Sequence, residues 1–306
     1  MNAPFFIRLP ATSANLGPGF DAVAVALDFY LEIEAVPSEK FAITATGRDA
    51  ERCARLEDNL LFDLYRDVLL KEGRTVVPLA IRMRNQIPLG MGCGSSAAGR
   101  LAALALAVHF GNLGWSRERI LEEAVSVEGH PDNATACWHG GFVAAARPEG
   151  NPQPARIWFA SIAPPDTWRA IVVLPAEPLA TVKARAMLPK SYSRADIVAN
   201  LQSAALLSAA FAQGRGDLLA LAMRDRIHQP YRGPVCHLLP PLLQLPGEHG
   251  ILGVSLSGAG PAVLVIIENE QSLAAAKTAI HAALQGLPSA ELLETRFAAS
   301  GTTFEL

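Results

Sequence analysis

At 306 residues, half of them hydrophobic, the chain is long enough for two ordinary domains or one large one and can bury a sizeable core. Its formal net charge of −3, with basic residues scattered along the chain, leaves no electrostatic footprint for nucleic acid or an anionic membrane, so the expected partners are small molecules. Cys53, Cys93, Cys137 and Cys236 lie far apart, with neither metal-ligand nor disulfide-framework spacing, and read as reduced thiols of a cytoplasmic protein. The N-terminus has no basic region leading into an apolar core, and no stretch reaches about 18 uncharged apolar residues, so neither leader nor membrane span is expected.

Residues 9–27, LPATSANLGPGFDAVAVAL, set Thr12, Ser13, Asn15 and Asp21 around Gly17, Pro18 and Gly19. Small polar side chains with one carboxylate suit an amino-acid or amino-alcohol ligand better than a metal cage; they also suit a polar turn between two strands. The alternation of Val23, Val25, Leu27, Phe29, Leu31 and Ile33 predicts a long strand over 23–36 with one face buried. Residues 41–46 and 76–84 read as further strands. Between them Leu60, Leu61, Leu64, Tyr65, Val68 and Leu69 recur at helical spacing after Asp58, a residue suited to cap that helix.

Residues 87–99, IPLGMGCGSSAAG, lead into an almost wholly apolar helix predicted over 97–110 and ending near Gly111. Gly90, Gly92 and Gly94 remove side chains where backbone must approach a ligand, and Ser95 and Ser96 fall at the helix N-terminus. Free N–H groups and the helix dipole there make an anion site without any lysine. The loop matches neither G-x-x-x-x-G-K-[ST] nor G-x-G-x-x-G. Taken alone it is either a phosphate cradle or a tight turn into a core helix.

A helix after Ser116 should run to Glu128, where HPDN (130–133) interrupts it; Pro131 opposes continuation and Asp132 or Asn133 can cap a short helix stopping at Gly140 and Gly141. Glu128, with hydroxyls from the glycine loop, would suit Mg²⁺, which takes one or two protein oxygens together with substrate phosphates. The Pro-rich text around 151–165 marks the expected division into units 1–160 and 161–306. Beyond it come a strand at 170–174, helices near 195–213 and 217–227, a strand pair at 251–256 and 262–268 around SGAGP, a helix from Ser272 and a final strand at 291–297.

These segments, in this order, resemble the homoserine kinase family of the GHMP kinases. LPATSANLGPGFD is similar to that family's first motif, PLGMGCGSSAAG to its phosphate loop, EGHPDN to its metal and substrate segment and SGAGP to its third motif; TVKARAMLP (181–189) and HQPYR (228–232) extend the likeness. The resemblance implies an α+β, two-domain GHMP kinase fold: an N-terminal ribosomal-protein-like domain with a left-handed βαβ crossover and a C-terminal ferredoxin-like sandwich. It implies ATP-dependent phosphorylation of the homoserine hydroxyl in threonine biosynthesis. Another small alcohol as acceptor, or a catalytically silent amino-acid sensor, are the rival readings.

Residue by residue, the resemblance implies that Pro88, Leu89, Gly90, Met91, Gly92, Cys93, Gly94, Ser95, Ser96, Ala97 and Ala98 wrap the ATP phosphates, with Glu128 and Ser96, or else Ser95, holding Mg²⁺. Asn15, Asp21, His130, Asn133, Thr181, Arg185, Arg232 and Gly258 would surround homoserine. Asp21 suits the α-ammonium, or a base for the hydroxyl; Arg185 and Arg232 suit the carboxylate through forked hydrogen bonds. Cys93 departs from the usual leucine and reads as an apolar filler. Trp138 and His139 replace smaller residues before Gly140. A homodimer is expected from the family.

Overall fold

The structure, a computed structural model, describes residues 4–148, 154–177 and 186–304. In chain order the elements are β1 (Phe5–Ala14), β2 (Val23–Pro37), β3 (Ala42–Gly47), α1 (Ala50–Cys53), α2 (Leu60–Lys71), β4 (Leu79–Asn85), α3 (Ser95–Gly111), α4 (Arg117–Glu128), α5 (Asp132–His139), β5 (Phe142–Ala146) and β6 (Trp158–Ile162). There follow β7 (Arg169–Pro175), α6 (Arg194–Gln213), α7 (Leu219–Ala222), α8 (Gln229–Arg232), α9 (Leu239–Leu242), β8 (Ile251–Leu256), β9 (Val263–Ile267), α10 (Leu273–Ala283), β10 (Ala290–Thr295) and β11 (Thr303–Phe304).

The first sheet runs β11-β1-β2-β4-β3, with β5 on the far half of β2 and β6 beyond it. It is antiparallel except for β3 and β4, which run parallel and are joined through α1 and α2. The alternation along β2 does what it predicts: Phe29, Leu31, Ile33 and Ala35 go into the core, while Asp28 is exposed and Tyr30, Glu32 and Glu34 are half-buried. The apolar α3 is surrounded on nearly every side, with Leu101 through Ala107 all buried.

The second sheet, β10-β7-β9-β8, is antiparallel throughout, and its element order β7-α6-β8-β9-α10-β10 is the ferredoxin-like arrangement. Its strands β7, β8 and β9 bury both faces, while β10 is an edge strand with no fully buried residue. Ala170, Val172 and Leu174 join the large core shared with the first sheet, while Ile171 and Val173 face a second core built with α9 and α10.

Several local expectations are corrected. The cap of α2 is Asn59, whose Oδ1 accepts from Leu61 N at 3.1 Å; Asp58 sits before it at φ +51°. Pro131 occupies the cap position of α5, so Asp132 is the first helical residue rather than the cap. The helix expected over 217–227 is only a 3₁₀ turn at Gly216–Leu218 and the short α7. The Asp225 carboxylate draws the chain off the helical path by accepting from the N–H groups of Ile227, His228 and Gln229. The last strand is not β10: Phe297 bridges to Leu27, and β11 returns to pair with β1. Among the described residues one helix, α6, is long and apolar enough to cross a membrane, although Leu207, Ala210 and Phe211 commit one side of it to the shared core.

Candidate functional site

The glycine loop is braced from two sides. Thr12 N donates to Cys93 O at 3.1 Å, Ala262 N to Met91 O at 3.2 Å and Ser257 Oγ to Gly92 O at 2.8 Å. A methyl group on Gly92 (φ +83°) would overlap the Ser257 carbonyl oxygen, and one on Gly94 (φ +72°) the Thr12 hydroxyl. Glycine is thus required at both positions by the approach of the first and third motifs. Gly94 is the N-cap of α3 and supplies no side chain, so the first-turn N–H groups of Ser95, Ser96 and Ala97 are left for a ligand.

One turn further along α3, Arg100 crosses to α4. A single guanidinium nitrogen donates to both Ser96 Oγ and Glu128 Oε2. Two hard oxygens, one of them anionic, therefore converge at the start of α3, a donor set that fits Mg²⁺ alongside phosphate oxygens. Arg100 and such an ion would contend for the same pair.

At the other end the polar groups interlock. Asn15 donates through Nδ2 to Gly258 O at 2.8 Å, and its Oδ1 accepts from Asp21 N at 3.0 Å. Asn15, Leu16 and Gly17 all have positive φ, as does Asp21; the non-glycine members are strained, a pattern that collects at ligand-binding loops. Thr12 Oγ1 donates to Asn133 Oδ1 at 2.7 Å. The buried Asp132 carboxylate accepts from Asn133 N and from His130 Nδ1, both at 2.6 Å. Burial alone would lower the His130 pKa, but the Asp132 bond and the charges of Asp132, Asp21 and Glu128 raise it on balance. Arg232, 1 % exposed, donates to Gly258 O at 3.3 Å with its guanidinium 5.4 Å from the Phe20 ring centre.

Most of these groups open on one cleft of ≈ 620 Å³. Its lining includes Asn15, Asp21, Leu89, Gly90, Gly92, Gly94, Ser95, Ser96, Ala97, Glu128, His130, Asn133, Arg232 and Gly258. Four loop residues do not line it. Pro88 and Met91 border a separate groove between the loop and β7 and β10, while Cys93 and Ala98 are buried. Burial pushes the Cys93 thiol up to about 12, as befits an apolar filler. Trp138 is also accommodated, under the Arg117 guanidinium and against Phe304. Thr181 and Arg185 lie outside the described residues.

Sequence reasoning missed two parts of the cleft. One is the pairing behind its Ser96 and Glu128 lining, made by Arg100, hidden in an apolar helix. The other is the end opposite Asp21, walled by Leu31, Cys53, Leu61, Met83 and Ile87 and rimmed by Arg52, Arg55, Glu57 and Asp58. Its walls come from strands and helices whose periodicity reads only as core; the polar run over 57–59 before α2 is the one signal that pointed there.

Residues 59–141 match the GHMP kinases N terminal domain, and residues 207–286 match GHMP kinases C terminal. A homoserine kinase of Solibacter usitatus is 43 % identical over 267 residues, 87 % of this chain and 86 % of that one. A homoserine kinase of Deinococcus radiodurans is 36 % identical over 304 residues, 99 % of this chain and 97 % of that one. The crystal structure of homoserine kinase from Cytophaga hutchinsonii superposes with a TM-score of 0.79 at 24 % identity, covering 100 % of this chain and 98 % of that one.

Proposed function

The chain belongs to the GHMP kinases, and on that premise we propose that its cleft transfers the γ-phosphoryl group of ATP to the side-chain hydroxyl of L-homoserine. The products are O-phospho-L-homoserine and ADP, a step toward threonine. The observation that carries this reading is charge placement: an uncapped helix N-terminus with the convergent Ser96 and Glu128 oxygens, and Asp21 and Arg232 lining the same cleft. A zwitterionic amino acid matches that second pair, Asp21 facing the ammonium and Arg232 the carboxylate. A neutral sugar matches neither.

The loop amides at the start of α3 receive the phosphates, and the apolar end between Leu31, Leu61 and Ile87 takes the adenine ring. Ser96 and Glu128 hold Mg²⁺; Ser96 is preferred over Ser95 because its hydroxyl already converges with Glu128 on Arg100. A bound ion supplies charge neutralisation on the phosphates. The chain's own part is positioning: Asn15 fixes the Asp21 backbone, Thr12 and Asp132 fix Asn133 and His130, and the two motif loops brace the phosphate loop. Phosphoryl transfer then needs little covalent chemistry from the protein, and Asp21 is read as a substrate ligand rather than a base. The two units divide near residue 160, and we propose a cytoplasmic homodimer, which light scattering and cell fractionation check.

A substrate panel with coupled ADP detection tests the reading. Homoserine should exceed mevalonate and galactose in kcat/KM by about 10²-fold or more, because an acceptor without both charges forgoes a charge-assisted contact with Asp21 or with Arg232. Better turnover of mevalonate or the sugar overturns it. Calorimetric binding of threonine without ADP release by any acceptor makes the protein a sensor instead.

A further inference from the structure

Four residues before the cleft arginine, Arg232, lies a fully buried histidine that is not part of the cleft lining. His228 precedes α8, and Asp225 shapes the turn around it by accepting from its backbone N–H at 2.9 Å. Its ring has three polar neighbours, a carbonyl, a guanidinium and the buried Asp225 carboxylate, whose Oδ2 lies 3.5 Å from Nε2. Nε2 lies 2.8 Å from the carbonyl oxygen of Gly17, and Nδ1 lies 3.2 Å from the Arg232 guanidinium.

The chemistry of those partners fixes the ring's protonation. A carbonyl only accepts and a guanidinium only donates, so Nε2 carries the hydrogen and Nδ1 the lone pair. The ring is neutral and its tautomer is set, and its face lies 5.4 Å from the Phe20 ring. Burial lowers the His228 pKa, in keeping with a neutral ring.

We propose that His228 is a positioning residue: its Nδ1 holds the Arg232 guanidinium where the substrate carboxylate docks, and its Nε2 ties that guanidinium to the loop that carries Asp21. The span between the ammonium-binding and carboxylate-binding groups is then set through one imidazole rather than by two independent loops. Gly258 O, shared by Asn15 and Arg232, is the second brace of the same arrangement. The inference rests on the reading of Arg232 as the carboxylate ligand.

Two variants separate the two bonds. In His228→Asn the side-chain oxygen falls near the Nδ1 position and keeps an acceptor for Arg232; in His228→Gln the amide reaches the Nε2 position and keeps the donor to Gly17. His228→Gln should raise the homoserine KM about 10- to 50-fold with kcat and the ATP KM within about threefold, and His228→Asn, which keeps the acceptor for Arg232 but loses the tie to Gly17, should raise it by a smaller factor of about three- to tenfold. A merely structural histidine would shift both substrates and thermal stability together, with no difference between the variants, and that result overturns the proposal. A double-mutant cycle guards against misfolding: adding His228→Gln to Arg232→Ala should cost no further homoserine affinity, whereas additive losses overturn it. Arg232→Ala alone reports on the underlying reading. If it leaves homoserine KM unchanged, Arg232 is not the carboxylate ligand and the inference falls with it; if it raises KM while His228→Gln does not, the inference alone fails.

Discussion

Ser96 shows how much one side chain carries here. Its hydroxyl meets Glu128 at the Arg100 guanidinium, and its backbone N–H belongs to the first turn of α3. Substitution by alanine removes the oxygen and keeps the amide. Ser96→Ala should therefore lower kcat by about 10²-fold while the homoserine KM stays within about threefold, since homoserine is read as held by Asp21, Asn15 and Arg232 rather than by Ser96. Steady-state kinetics at saturating ATP check this, and a large rise in homoserine KM with unchanged kcat would contradict it. Ser96 and Glu128 were legible in the sequence because the serine opens a helix after three glycines and the glutamate ends one at an interrupted junction. Arg100 was not, because its neighbours Ala97, Ala98 and Leu101 to Ala103 are all buried and the pattern gives no hint that one long side chain escapes toward the cleft.

At the scale of elements, legibility followed exposure. β2 and α2 each have one wet face and announce themselves by period. β1 does not: beyond Leu9 every residue to Ala14 is buried, the strand contains Pro10, and its register with β2 shifts between Pro10 and Ala11, so no alternation survives. Its polar end reads as a loop when it is the inner wall of the site. The phosphate loop depends on that wall and on the turn after β8. Gly92→Ala places a methyl group against the Ser257 carbonyl oxygen at a φ of +83°, so both sterics and backbone conformation oppose it. A loss of at least about 2 kcal/mol in unfolding free energy is expected, read from the urea midpoint, together with weaker ATP binding because the braced loop must shift. A variant of parental stability and ATP affinity would show that the loop is not held by the third motif.

For the whole molecule the length allowed one large domain or two and the proline-rich text near 151–165 pointed to two, yet nothing in the sequence announced how firmly they are joined. The β11 return is two residues long, too short to carry a pattern, and the contact between units is made by side chains that read only as core. Phe142 of β5 stacks on Phe211 of α6 with ring centres 4.2 Å apart and planes 17° from parallel, and Trp168 meets Phe211 edge-on at 5.4 Å. One core cluster continues through them from Ile33 and Leu104 to Val172 and Leu264. Asn200 adds a polar tie, donating to Pro18 O at 2.8 Å and accepting from Arg226 N at 3.1 Å. A shared core predicts shared unfolding: calorimetry should show one transition whose calorimetric and van't Hoff enthalpies agree, despite two sheets. Phe211→Ala, which opens a cavity at the junction, should cost about 3–5 kcal/mol and lower that single transition as a whole. Two resolved transitions in the parent would mean that the sheets fold independently, and the cleft between them would then be held by its ligands rather than by the core beneath it.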